Sequence, residues 1–272
     1  MPSETPNWGL LPLSPPSSIP SSLSGSLDAA LNPQSIAIIG ASENQHKVGG
    51  RPLMYLSRFG YRGRVYPINK HRSRVQGVVA FPRIEHVPEA PDLAIVALPA
   101  PQACEAVQAC ADRGVKVALV MSSGFAEAVC SDDAGAVAER VLVDCARATG
   151  MRIVGPNSQG LANFHNGAVA TFSTYFNEVA PSDGPVAIVS QSGVMSAVPY
   201  GLLRGRGVGV RHAHATGNEC DVTLAELAVC VVQDPGVRLL LLYMESVRDP
   251  AVLAQAAAIA RERDVPIVAV KA

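Results

Sequence analysis

The residues best suited to chemistry in this 272-residue chain stand at the ends of short apolar runs. Ser35-Ile36-Ala37-Ile38-Ile39 stops abruptly at Gly40-Ala41-Ser42, and Gly49-Gly50-Arg51 follows. A short β-branched run of this kind reads as a strand buried on both faces. Gly40 lets the chain turn and lets a ligand approach the backbone. A helix opening at Gly49 would offer unpaired N–H groups and a positive dipole end, which suits a phosphate. The spacing is not G-x-G-x-x-G, so the dinucleotide fingerprint is absent, and an ordinary packing turn is the competing reading. Ser192 makes a poor hydrolase nucleophile, because G-x-S-x-G is missing and no His–Asp partner can be assigned. His212 and His214 could share one strand face and bind a metal together, but two ligands alone are weak evidence, and no metal is expected.

The elements that must position these residues follow from the alternation of apolar runs and breakers. Strands are expected at 35–40, 64–68, 93–98, 116–121 and 152–154, with helices at 49–59, from Pro101 to 113 and at 133–149. Strands alternating with helices of this length mean βαβ units and a parallel sheet. The small and polar residues gather just after the strands: Gly40-Ala41-Ser42, Asn69-Lys70, Pro99-Ala100-Pro101, Ser122-Ser123-Gly124 and Gly155-Pro156-Asn157. In an open parallel sheet those carboxyl ends lie along one edge, where ligands bind, so the five together form a binding rim. Residues 161–183 read as a crossover. A second α/β unit then has strands at 185–189, 208–212, 237–244 and 265–270 and helices following Ser190-Gln191-Ser192-Gly193 and over 222–232 and 250–263, with Glu245 at a strand tip.

Composition sets the broad class. Apolar residues make up 48% and the formal net charge is −1, a well-cored α/β composition with no nucleic-acid or membrane signature. The six cysteines include no C-x-x-C pair, so they are expected to be reduced thiols of a cytoplasmic protein. No apolar run reaches the roughly 18 residues of a membrane span. Residues 1–26 are rich in Pro and Ser and are expected to be a loose tail.

Taken jointly, the motifs resemble the α-type portion of the NDP-forming acyl-CoA synthetases, the superfamily of succinyl-CoA synthetase and the ADP-forming acetate–CoA ligases. The matching pieces are Asn32 to Ser42, Ser123-Gly124-Phe125, Gly155 to Gly160, Ser190-Gln191-Ser192-Gly193, Thr216-Gly217-Asn218-Glu219 and Tyr243-Met244-Glu245-Ser246. The resemblance implies a Rossmann-like CoA-binding domain over 27–160 and a flavodoxin-like ligase domain over 184–272. It implies that Gly40, Ala41 and Ser42 hold phosphate oxygens. Lys70, with Arg72 or Arg74, would supply charge for the ADP part of coenzyme A; a solvated basic loop is the alternative. Leu98, Pro99, Ser122, Ser123, Gly124 and Phe125 would line the nucleotide and pantetheine, and Pro156 and Asn157 would bring the thiol to the second domain. Ser190, Gln191, Ser192 and Gly193 would hold a phosphoryl group at a helix N-terminus. Glu245 would steady the family's catalytic histidine.

Two departures stand out. Many relatives carry Cys where Ser158 stands. The family's phosphorylated histidine follows the strand ending at Val270, and none of the six histidines occupies that place. The ligase domain is therefore expected to be partial. Nucleotide (ATP or ADP) and Mg2+ would act through an ATP-grasp domain or β-type subunit. The expected function is the CoA-binding part of a ligase joining a carboxylic acid to CoA. A non-catalytic CoA- or nucleotide-sensing module is the alternative. An NAD-binding domain fits less well, because Asn69-Lys70 stands where an acidic residue would be needed.

Overall fold

The computed structural model describes residues 27–128 and 133–272. The segment read as a tail, 1–26, and Cys130 lie outside the described residues. After a helical segment at 27–31 (α1) the chain builds a sheet from β1 (Ser35–Ile39), β2 (Arg64–Ile68), β5 (Leu93–Val96), β6 (Val117–Val120) and β7 (Arg152–Val154). The strand order is β2-β1-β5-β6-β7 and every pair is parallel. All five residues of β1 are buried, as a central strand covered on both faces requires. Helices α2 (Arg51–Arg58), α3 (Ala100–Asp112) and α4 (Ala134–Thr149) make the crossovers. Pro101 falls in the first turn of α3, and Gly150, at φ +75°, closes α4 in the left-handed conformation. A two-stranded hairpin, β3 (Arg74–Val75) and β4 (Val78–Val79), follows β2.

The second sheet departs from expectation in one respect. The stretch 161–183 is not a bare crossover. It contributes β8 (Gly160–Asn163) and β9 (Ala168–Thr171), an antiparallel hairpin, and the short α5 (Tyr175–Glu178). Leu161, Ala162, Val169 and Ala170 are almost wholly buried there. These strands are only four residues long, so their alternation is too brief to stand out in sequence. With β10 (Val186–Ser190), β11 (Val210–Ala215), β12 (Leu239–Met244) and β13 (Ile267–Lys271), the sheet order is β13-β12-β10-β11-β8-β9. β10 to β13 are parallel, and β8 runs antiparallel to β11. Helices α6 (Gly193–Gly205), α7 (Leu224–Val231) and α8 (Pro250–Glu262) cover the faces.

One apolar cluster joins the two sheets. It runs from Leu27 and Leu31 of α1 through Ile36, Ile38 and Ile95 to Ala187, Val189 and Leu227. Polar bonds close the seam. Arg152 pairs with Asp221 at 3.0 Å and Glu226 at 2.9 Å, and Tyr55 donates to the Ser173 carbonyl at 2.6 Å. Among the described residues no helix is long and apolar enough to cross a membrane. The five described cysteines are free, and burial pushes the Cys110, Cys220 and Cys230 thiols up to about 12.

Candidate functional site where two rims of strand tips meet

The first sheet changes direction of growth between β1 and β5, the place where an open α/β sheet leaves a crevice. Gly40 sits at φ +82°, and a Cβ there would lie 2.5 Å from the Ala97 carbonyl oxygen. No side chain fits, so glycine is required for the β1 and β5 tips to touch. Asn69 donates to the Ala41 carbonyl at 2.9 Å, which draws the β2 tip into the same rim. Lys70, Arg72 and Arg74 are exposed beside it.

Some of the amides of the loop after β1 are used within the protein. The Ala41 amide donates to Ile68 and the Ser42 amide to Gly49. At the start of α2, Gly50 and Arg51 both donate to the Lys47 carbonyl, and Pro52 has no N–H. The Glu43, Gln45, Val48 and Gly49 amides have no hydrogen-bond partner among the described residues. Gln76, which sequence reasoning missed, holds the loop from above by donating to the Ser42 and Gly50 carbonyls, both at 2.9 Å. Gln76 lies 26 and 34 residues from these partners, so no local pattern marks it.

Three of the residues expected to contact the cofactor have buried side chains. Ala41, Phe125 and Pro156 are buried, and the Phe125 ring is a core anchor packed with the β5–β6 layer. Aromatic area of that size stabilises most when fully removed from water. Ser122 is nearly buried, with its hydroxyl donating to the Leu98 carbonyl, whereas Pro99, Ser123, Gly124 and Asn157 are exposed along the rim. Ser158 donates to the Ala215 carbonyl at 2.6 Å and is fully buried, so its side chain faces inward.

The second rim lies against the first. Asn218 donates its amide to Pro156, Cys220 to Gly155 and Val222 to Ile153, a short ladder between the β7 exit and the β11 exit. Gly217 at φ +68° permits this approach, since a Cβ there would sit 2.3 Å from the Pro156 oxygen. The Asn218 side chain donates to Glu127 at 2.5 Å and Glu139 at 2.8 Å, both from the first domain. Partial burial acts to raise the Glu127 carboxyl, but bonds from Asn218 and the Gly124 amide hold it below the usual carboxylate range.

β10 emerges between β11 and β12 and delivers Ser190-Gln191-Ser192-Gly193 to this junction. Ser192 is the N-cap of α6 and accepts from the Met195 amide at 3.4 Å. The Gly193 and Val194 amides have no partner among the described residues, so this helix end presents two free donors where the dipole is positive. Gln191 does not point its side chain at that position. Its oxygen accepts from the Glu245 and Ser246 amides at 2.6 and 2.9 Å, and its nitrogen donates to Glu219 at 2.9 Å. Glu245 is exposed at the β12 tip, in an open cleft of about 260 Å3 that also takes in Glu127, Glu139, Asn218 and Arg248.

A larger cleft, about 410 Å3, lies at the opposite edge. Its walls include Asp28, His165, Arg211 and Asp234, all of which precede strands or sit at their starts. Ligands of open parallel sheets bind at the other, carboxyl edge. His212 and His214 do share a face of β11, with His214 Nε2 3.1 Å from His212 Nδ1, but His212 is bonded to Asp234 and both rings are buried. Among the described residues no group of three or more His, Cys, Asp or Glu side chains could hold a metal ion.

Comparison with known proteins agrees with this geometry. A family model described as "CoA binding domain" matches residues 34–163, and one described as "Succinyl-CoA ligase like flavodoxin domain" matches 183–272. The α subunit of the ADP-forming acetate–CoA ligase I of Pyrococcus furiosus is 33% identical over 228 residues, covering 82% of this chain and 48% of that protein. A trans-feruloyl-CoA synthase of an unknown prokaryotic organism is 32% identical, covering 89% and 34%. The chain thus spans about half the length, or less, of the curated relatives it matches. A Pyrococcus horikoshii OT3 protein superposes with a TM-score of 0.80 at 33% identity, covering 90% of this chain and 54% of that one. A Ca. Korarchaeum cryptofilum acetyl-coenzyme A synthetase in complex with phosphate and ADP superposes at 0.81 and 29%, covering 90% and 51%. Two matched domains in order, tied edge to edge at their strand tips, place this chain in the NDP-forming acyl-CoA synthetase superfamily, to which it belongs.

Proposed function

We propose that the chain is the CoA-binding and phosphoryl-handling part of an acyl-CoA synthetase (NDP-forming) that joins a carboxylic acid to CoA through an acyl phosphate and a phosphohistidine. The observation that carries this reading is the junction itself. A rim fit for an extended cofactor, from Gly40 past Leu98 and Ser122 to Asn157, runs directly into a rim with two free helix-end amides and an exposed carboxylate.

In this reading the adenine-nucleotide end of CoA lies over the β1–β5 crevice. Lys70 and Arg72 neutralise its phosphates from solvent, as point charges and forks do. The pantetheine runs along Pro99, Ser123 and Gly124, and the thiol arrives near Asn157. The Gly193 and Val194 amides with the Ser192 hydroxyl stabilise a phosphoryl group, and Glu245 orients the imidazole that carries it. Nucleotide, Mg2+ and that histidine would come from a β-type partner or further polypeptide. The P. furiosus relative is an α subunit, which supports a two-part assembly.

Calorimetric titration of CoA into the folded chain tests the reading. Micromolar binding, with no competition from NADH, is the expected result. A millimolar constant, or displacement by NADH, would sink it.

A further inference from the structure

Glu219 is a buried carboxylate, 3% exposed, in the left-handed conformation at φ +58°. A side chain other than glycine in that region is held there by its surroundings. One oxygen accepts from the Thr216 hydroxyl and from the Leu224 amide, both at 2.8 Å. The other accepts from Gln191 Nε2 at 2.9 Å. An ionised carboxylate only accepts, so it fixes which end of the Gln191 amide faces it. The opposite end must then be the oxygen, and that oxygen takes the Glu245 and Ser246 amides.

We infer that Glu219 is a positioning residue: through the Gln191 amide it sets where the β12 tip holds Glu245 against the α6 N-terminus. The inference rests on the reading above for the role of Glu245. Its geometric content does not depend on CoA. Glu219→Gln is the informative variant because neither orientation of the new amide satisfies all partners. An NH2 towards Gln191 opposes another NH2, and an NH2 on the other side opposes the Leu224 N–H. Both arrangements remove or weaken the bond to Glu219 and leave the Gln191 nitrogen held chiefly by the Ser246 carbonyl, at 3.0 Å, so the amide and the Glu245 and Ser246 amides bound to it loosen.

The test is amide hydrogen exchange by NMR, with CoA titration alongside, on wild type, Glu219→Gln and Gln191→Leu. Exchange at Glu245 and Ser246 is expected to quicken roughly tenfold or more in both variants. The β10 amides should keep their protection. CoA affinity should stay within about twofold of wild type, since Glu219 is outside the CoA rim. In the complete ligase, kcat should fall while KM for CoA holds. Unchanged exchange at Glu245 and Ser246 in either variant overturns the inference, as does unchanged kcat. Unfolding of both variants overturns it too, by making the network a folding requirement. Wild type that fails to bind CoA, with the exchange result as expected, refutes the functional reading and leaves the positioning in place.

Discussion

At the scale of single residues, the site divides into positions that act through shape and positions that act through charge. Gly40 is of the first kind: its φ of +82° and the 2.5 Å approach to Ala97 leave no room for a side chain. Gly40→Ala should lower stability by about 1–3 kcal/mol, read by urea unfolding, and weaken CoA binding as the β1 and β5 tips part. Lys70 is of the second kind. Exposed and making no packing contact that burial would reveal, it can change to Ala with stability held within about 0.5 kcal/mol. CoA affinity should fall about fivefold, and the loss should shrink at high salt. The reverse pattern, a Lys70 variant unstable and a Gly40 variant intact, would mean the rim has been misread. Lys70 was visible in the sequence as a charge at a strand tip. Gln76 was not, and Glu219 stood out only as the end of the Thr216-Gly217-Asn218-Glu219 motif, because the roles of both lie in partners brought close by folding.

At the scale of elements, two helix starts in the second domain contrast. Thr223 and Glu226 form a reciprocal capping box on α7: Thr223 accepts from the Glu226 amide and Glu226 accepts from the Thr223 amide at 2.9 Å. Ser192 on α6 makes one long capping bond, at 3.4 Å, and leaves two amides open. The first helix start is closed on itself, whereas the second, in the proposed reading, leaves its amides for a phosphoryl group. Thr223→Ala should therefore cost about 1 kcal/mol of unfolding free energy, and Ser192→Ala about half of that, with CoA affinity unchanged in both. Equal costs in denaturant melts would argue that α6 is capped for its own sake. Helix and strand types were legible along the chain because their apolar runs are long enough to count. The β8–β9 hairpin was not, because four-residue strands interrupted by a polar turn carry too little pattern.

At the scale of the whole molecule, the seam between the two sheets is where solution conditions should act. His214 is fully buried, and burial, then neighbouring His212, holds its pKa well below the ordinary 6.5. Its Nδ1 has no hydrogen-bond partner. Facing it are His212, then Asp234 and Arg211, which are bonded to one another. The folded state keeps His214 neutral while the unfolded chain takes a proton below about 6.5. Stability is thus untouched above that pH and falls as pH drops through it, by up to about 1.4 kcal/mol per unit for one proton. Asp234 is held far below its usual range despite burial, by His212 and Arg211, so its contribution is lost only below about pH 4. His214→Leu should flatten the stability curve between about pH 6.5 and 5. A slope unchanged by that substitution would mean another group takes up the proton. Read along the chain alone, the apolar runs, their glycine and proline stops and the ordered loop motifs settle the α/β class, the rim of strand tips and the family. Those features are local, and the pattern of side chains along a few residues is enough to specify them. Which loops touch, which amides remain free and which side chain turns inward depended on packing. Gln191 meets Glu219 and Glu245 across 28 and 54 residues of sequence, and Phe125 leaves the groove for the core. Contacts at such separations are set by how two sheets bury a shared apolar seam, and nothing in the neighbouring residues encodes them.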